Sequence, residues 1–316
     1  MRLSNIFRIT ILAIILYTLA AFIFGFIEIQ NSMSLIPVSW WFSFLSLPLF
    51  THVVLAFRWH YLLLFLSSRL SFFQSCNIYI SGLALMAAPG RTGELIRALW
   101  LNKNYHMSKS VGLAATFSER LSDLISALLI MFLLLSSNKQ IFIFITLLML
   151  IFLFSRPCKD IFKKIILTLS QLSIFSFLNN KLVPSYTNMF LNFRNVLSLR
   201  ILPLTILFGI IIWLFESLFV YYLFIKLGVN IDFRESVIIR TGMGLGGALS
   251  FLPAGLITSE ASALAISLAY GSGRSEAIVV TLIIRLYTLF VPFLIGLIVL
   301  NLNKQLSLEI PNISSR

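Results

Sequence analysis

Charge is what this sequence has least of: Asp, Glu, Lys and Arg make up 11% of its 316 residues, against roughly 25% in soluble domains. Hydrophobic residues make up 59%, and the mean hydropathy is +0.98. A soluble protein is excluded, and no soluble domain large enough to act on its own is expected. Acids are scarcer still than bases, 11 against 24. The Lys and Arg fall between apolar runs and not along one solvated face, so membrane topology accounts for them and nucleic acid does not. Cysteine is confined to Cys76 and Cys158. Their placement has no metal-ligand or redox spacing, which argues against a disulfide or thiolate centre and leaves them as small packing residues. Metal and cofactor are both expected to be absent.

What is abundant is long apolar sequence. Thirty Phe and runs near the ~20 residues that cross a bilayer point to helices, since barrel strands alternate apolar with polar residues. The fold class is all-α, a polytopic helical membrane protein forming one integral domain over 1–316. Full spans are expected at about 6–27, 38–66, 111–135, 141–155, 201–226 and 277–301. The first has Arg2 and Arg8 ahead of it and no convincing cleavage site, and reads as a retained helix. Two further stretches, about 72–103 and 236–271, are interrupted by Pro89-Gly90 and by Pro253-Ala254-Gly255. Each predicts a re-entrant hairpin of two half-helices.

Basic residues collect in cytoplasmic loops. Arg2 and Arg8 place the N-terminus inside, and the loop Glu28–Pro37, with no basic residue, lies outside. Arg58, Arg69, Arg91, Arg97, Lys103 and Lys109 return the chain to the cytoplasm, so the first broken segment enters and leaves from within. Ser136–Gln140 is external. Residues 156–200, with seven Lys or Arg against Asp160 alone, read equally as an amphipathic connector on the inner leaflet or as a topology signal. The second broken segment then starts and ends outside, and both termini are cytoplasmic. The halves, about 1–138 and 139–301, repeat one order from opposite sides, an inverted repeat. Glu94 and Glu260 each stand 25 residues before Glu119 and Arg285 respectively.

Ionisable groups inside apolar segments cost roughly 2.5–3.5 kcal/mol each and face a protein or water-filled interior. In Pro89-Gly90-Arg91-Thr92-Gly93-Glu94-Leu95-Ile96-Arg97 the glycines permit a turn, and a half-helix starts with free N–H groups. Arg91 and Arg97 would bind a phosphate there, with a basic interfacial loop as the equal alternative. Glu119 and Asp123 share a helix face with Arg120 close by, an ion-pair set for locking helices, possible partners being Arg91 and Arg97. Glu216, Glu260 and Arg285 are isolated by apolar flanks and each needs a partner, Glu260–Arg285 being the simplest pair. Arg58 and His60 read as snorkelling residues at the inner end of their span, and His52 and His106 as packing or interfacial ones.

Gly90-Arg91-Thr92-Gly93-Glu94-Leu95-Ile96-Arg97, Glu119-Arg120 with Asp123, and Pro253-Ala254-Gly255 with Glu260 and Arg285 together resemble the lysylphosphatidylglycerol synthase transmembrane family, over nearly the whole chain. That flippase-like region occurs in stand-alone proteins without the aminoacyltransferase domain of its fused relatives. The resemblance implies translocation of a lipid or lipid-linked substrate, without synthase activity. It puts Gly90, Arg91, Gly93, Glu94, Arg97 and Arg120 at the substrate, and Glu119, Asp123, Glu260 and Arg285 in structural or relay roles, to which the isolated Glu216 is added from its apolar flanks. The expected partners are membrane lipids, either an anionic phospholipid or a polyprenyl-phosphate-linked substrate, in the cell membrane. A homo-oligomer is compatible with the sequence. Two other classes stay open: a membrane-embedded transferase on a lipid-linked substrate, and an accessory to a lipid or glycan synthase. The first is weakened because His-x4-Asp and Asp-x2-Asp-Gly motifs are both missing.

Overall fold

The computed structural model describes residues 30–31, 33–66, 69–86, 94–135, 192, 201–249, 253–303 and 306. All regular structure among the described residues is helical. The first half supplies α1 (Val38–Phe65), α2 (Phe72–Leu83), α3 (Ile96–Tyr105) and α4 (Lys109–Leu135). The second supplies α5 (Leu202–Lys226), α6 (Phe233–Leu249), α7 (Thr258–Ala269), α8 (Arg274–Arg285) and α9 (Val291–Leu302). The expected spans 6–27 and 141–155 lie outside the described residues, as does the connector 156–200 apart from residue 192. Among the described residues, three stretches are long and apolar enough to cross a membrane: Ser46–Phe65, Leu202–Lys226 and Arg274–Leu302, the last carrying a π-helical turn at Leu286–Phe290 between α8 and α9. Helix α4, 27 residues and about 40 Å long, matches them in length but carries Lys109, Glu119, Arg120 and Asp123.

Local chemistry sets the helix ends. Ser71 and Gln74 form a capping box at the start of α2, and Asp232 and Glu235 bond reciprocally to each other's N–H at the start of α6. His106, in left-handed conformation with φ 53°, lets Met107 N–H reach Leu101 O and turns α3 into α4. In the second broken segment, α6 stops at Leu249 and α7 begins at Thr258. Between them Ala254, Gly255 and Ile257 all have positive φ, of 52°, 65° and 74°, which reverses the chain. Helices α6 and α7 lie antiparallel, Gly242 against Ile266 and Gly246 against Ser262, so small residues allow the close approach. The first broken segment is likewise two helices, α2 and α3, with Gly82 against the Arg97 side chain. Residues 87–93 between them, Gly90, Arg91 and Gly93 included, lie outside the described residues.

Side-chain register fixes relative directions. Trp40 beside Tyr222 and Phe50 beside Phe215 make α1 antiparallel to α5. Ser122 Oγ donating to Thr205 Oγ1, with Gly209 facing Ser126, makes α4 parallel to α5. Two apolar cores result among the described residues. One joins α1–α4 to α9 around Trp59, Leu62, Leu101 and Ala114, and the other joins α5–α8 around Leu223, Phe224, Ile239 and Val279. Helix α9 reaches into the first core at Gly296, which packs directly on the backbone of Leu83 and Ala84 at the end of α2.

Candidate functional site

Among the described residues, charged side chains on apolar helices gather in three clusters. The largest lies where α1, α3 and α4 meet. Arg97, at the start of α3, donates from Nε to Glu94 O (3.1 Å), from Nη2 to Glu94 Oε2 (3.1 Å) and from Nη1 to Glu119 Oε2 (3.0 Å). Its guanidinium lies 4.4 Å from the centre of the Trp59 ring and 5.2 Å from that of Tyr79, a face-on arrangement that suits a desolvated cation. Space for its stem comes from Gly82, where a Cβ would stand 2.9 Å from Arg97 Cδ. Arg97 is thus engaged on every side by protein.

Arg120 meets the same Glu94 oxygen as Arg97, Nε at 3.1 Å from Oε2, and reaches Asp123 Oδ2 with Nη1 at 3.2 Å. Asp123 also accepts from Arg58 Nη1 at 2.6 Å. Three guanidinium groups therefore face three carboxylates, a charge-balanced chain running from Glu119 through Arg97, Glu94, Arg120 and Asp123 to Arg58. Exposure separates its members. Arg58, Arg97 and Glu119 are buried, whereas the side chain of Arg120, near the middle of α4, is 34% exposed and that of Asp123 is 23% exposed.

The second cluster closes the turn between α6 and α7. Arg285, at the end of α8, pairs through Nε with Glu260 and donates from Nη1 to Ala254 O (3.1 Å) and from Nη2 to Gly255 O (3.0 Å). One arginine thus ties the first turn of α7 to the reversed backbone before it. In the third cluster Glu216 of α5 accepts from Arg240 of α6, Nη2 to Oε2 2.5 Å, and the Arg240 guanidinium lies 4.8 Å from the Trp213 ring centre.

Of the residues singled out in the sequence, Glu94, Arg97, Glu119, Arg120 and Asp123 come together, Glu260 and Arg285 pair elsewhere, and Glu216 stands in a cluster of its own. Arg58 needs correcting. It does not snorkel to an interface, because α4 lies alongside and Asp123 meets it in the interior. Asp123 in turn takes Arg58 and Arg120 and leaves Arg97 to the two glutamates. Arg240 and Trp213 were not anticipated. An arginine directly after the apolar run Val237–Ile239, with Glu216 in need of a base, was the available signal for the first. Among the described residues no group of three or more His, Cys, Asp or Glu is placed to hold a metal ion.

Residues 5–296 match the family described as the lysylphosphatidylglycerol synthase TM region. Among curated proteins the chain is similar to a UPF0104 membrane protein of Pyrococcus horikoshii, 31% identical over 107 residues, 34% of this chain and 32% of that protein. It is also similar to a UPF0104 membrane protein of Methanocaldococcus jannaschii, 27% identical over 231 residues, 71% of this chain and 95% of that protein. The chain thus spans about a third of the first relative's length and nearly all of the second's. No solved structure matches.

Proposed function

Because the chain belongs to the family of the lysylphosphatidylglycerol synthase TM region, we propose that this membrane protein is a translocase that moves the anionic headgroup of a lipid or lipid-linked substrate between leaflets. The observation that carries the reading is Arg120. An arginine a third exposed in the middle of a long helix is tolerated in a membrane where it faces a water-filled cavity, and such residues mark substrate paths. Two broken helices, one in each half, suit the same reading, since inverted-repeat transporters build their sites where interrupted helices meet. On this reading each hairpin is re-entrant, the chain lies in the cell membrane and both termini are cytoplasmic.

The cluster then divides its labour. Arg97 with Glu94 and Glu119 fixes the start of α3. Arg120, joined on the sequence reading by Arg91, meets the phosphate. A phosphate arriving at Arg120 takes the place of a carboxylate and leaves both acids paired, Glu94 with Arg97 and Asp123 with Arg58. No buried charge is stranded during the exchange, which keeps its cost low.

The same pairing makes a clean test. In vesicles containing headgroup-labelled phosphatidylglycerol, Arg120→Ala should slow leaflet exchange at least tenfold while lowering the melting temperature only slightly. Arg120→Lys should restore part of the rate. Exchange at the wild-type rate in Arg120→Ala would sink the proposal.

A further inference from the structure

Trp213 touches two of the three charge clusters at once. It sits midway along α5, half-buried, and its indole Nε1–H donates to the backbone O of Asp123 at 3.2 Å. Asp123 is the residue whose carboxylate holds both Arg58 and Arg120. The same indole presents its face to Arg240, whose partner is Glu216. Its position is tightly bounded. A Cβ on Gly244 of α6 would stand 2.2 Å from Trp213 Cη2, so only glycine there lets the ring lie between α5 and α6. On the other side, Ser122 bonded to Thr205 and Ser126 to Ile206 O hold α4 and α5 in register.

A side chain in this position does more than fill space. The hydrogen bond fixes the ring's edge to α4 of the first half, and the cation–π contact fixes its face to α6 of the second. Movement of α6 relative to α5 displaces the cation from the ring, and rotation of the ring disturbs the turn of α4 that carries Arg120 and Asp123. We infer that Trp213 is a positioning residue that couples the first-half charge cluster to the Arg240–Glu216 pair of the second, so that the two rearrange together. The consequence for headgroup movement rests on the translocase reading, whereas the coupling itself does not.

The test is built to keep those apart. Melting temperatures in detergent are measured for Asp123→Asn, Arg240→Lys and the double variant, first with Trp213 and then with Trp213→Leu in each. With the tryptophan present, the double variant should lose less than the two single losses combined, because each change loosens one end of the same link. With leucine the losses should add. If Asp123→Asn does not yield folded protein, Arg120→Ala perturbs the same cluster while leaving each acid a partner, and the same comparison is made. Additive losses with Trp213 present, or non-additivity that survives Trp213→Leu, overturn the inference.

Trp213→Phe supplies the second readout, keeping the face toward Arg240 but losing the Nε1–H. Its melting temperature should stay near wild type while exchange of labelled phosphatidylglycerol slows several-fold. Unchanged exchange, in a protein where Arg120→Ala does slow it, also overturns the inference. If neither substitution affects exchange but the melting cycle is non-additive, the coupling stands and the translocase reading has failed.

Discussion

Arg97 and Arg120 share the carboxylate of Glu94, yet removing them should have different consequences. Arg97 is the partner of buried Glu119, whose Oε1 has no hydrogen-bond partner among the described residues to fall back on. Arg97→Ala should therefore destabilise by roughly 3–5 kcal/mol, the usual result of stranding one member of a buried pair, read as early thermal unfolding in detergent. Combining it with Glu119→Gln should recover much of that loss, since no carboxylate is then left without a cation. At this scale the sequence made the acids legible, and the pair Glu260–Arg285 with them, but not the other partners. Glu119, Asp123, Glu216 and Glu260 stand out because charge is rare on apolar helices. Which arginine each one meets depends on neighbouring helices, and Arg58, close to the end of α1, looks interfacial until α4 is laid beside it. Arg240 was legible only as the unspent base of its run.

Glycine decides how closely the helices pack. A Cβ on Gly296 would stand 2.3 Å from Ala84 N and 2.7 Å from Leu83 C, backbone atoms that cannot rotate aside. Gly296→Ala should push α9 off the end of α2 and lower stability by about 1–3 kcal/mol, the common range for overpacking. Gly246→Ala should cost less, because its nearest neighbour is the Ser262 hydroxyl, which can turn away. Differential scanning of the two variants in one detergent checks the order. Pro253-Ala254-Gly255 announced the break in the second hairpin, because proline and glycine interrupt a helix locally. Gly242 and Gly246 carried no such message. Their role appears only once α7 folds back on α6, a tertiary contact that the one-dimensional pattern does not encode.

Among the described helices, the packing within α1–α4 has counterparts within α5–α9. Helix α2 lies on α1 as α6 lies on α5, and α3 lies on α4 as α7 lies on α8. The end helix of each half meets the hairpin of the opposite half, α9 on α2 and α4 on α6. The directions agree with those the loop charges require, α4 parallel to α5 and α1 antiparallel to both. Direction was legible because charge asymmetry acts on each loop separately, while the interlocking of the halves needs the fold. Together these observations lead to a prediction about sidedness. The approach of Trp40 to Tyr222 puts the start of α1 and the end of α5 at one end of the bundle, whereas the link between α3 and α4 lies toward the other. With Cys76 and Cys158 replaced by serine, single cysteines are placed at the exposed positions Asn31, Asn230 and Ser108. An impermeant maleimide added to intact cells should label the first two and should reach Ser108→Cys only after permeabilisation. Labelling of Ser108→Cys alone would reverse the orientation but keep the relative helix directions, since the two ends would still be distinguished. Labelling of Asn31→Cys and Ser108→Cys from the same side would defeat the arrangement itself, because α1 and α4 could not then run in opposite directions through one membrane.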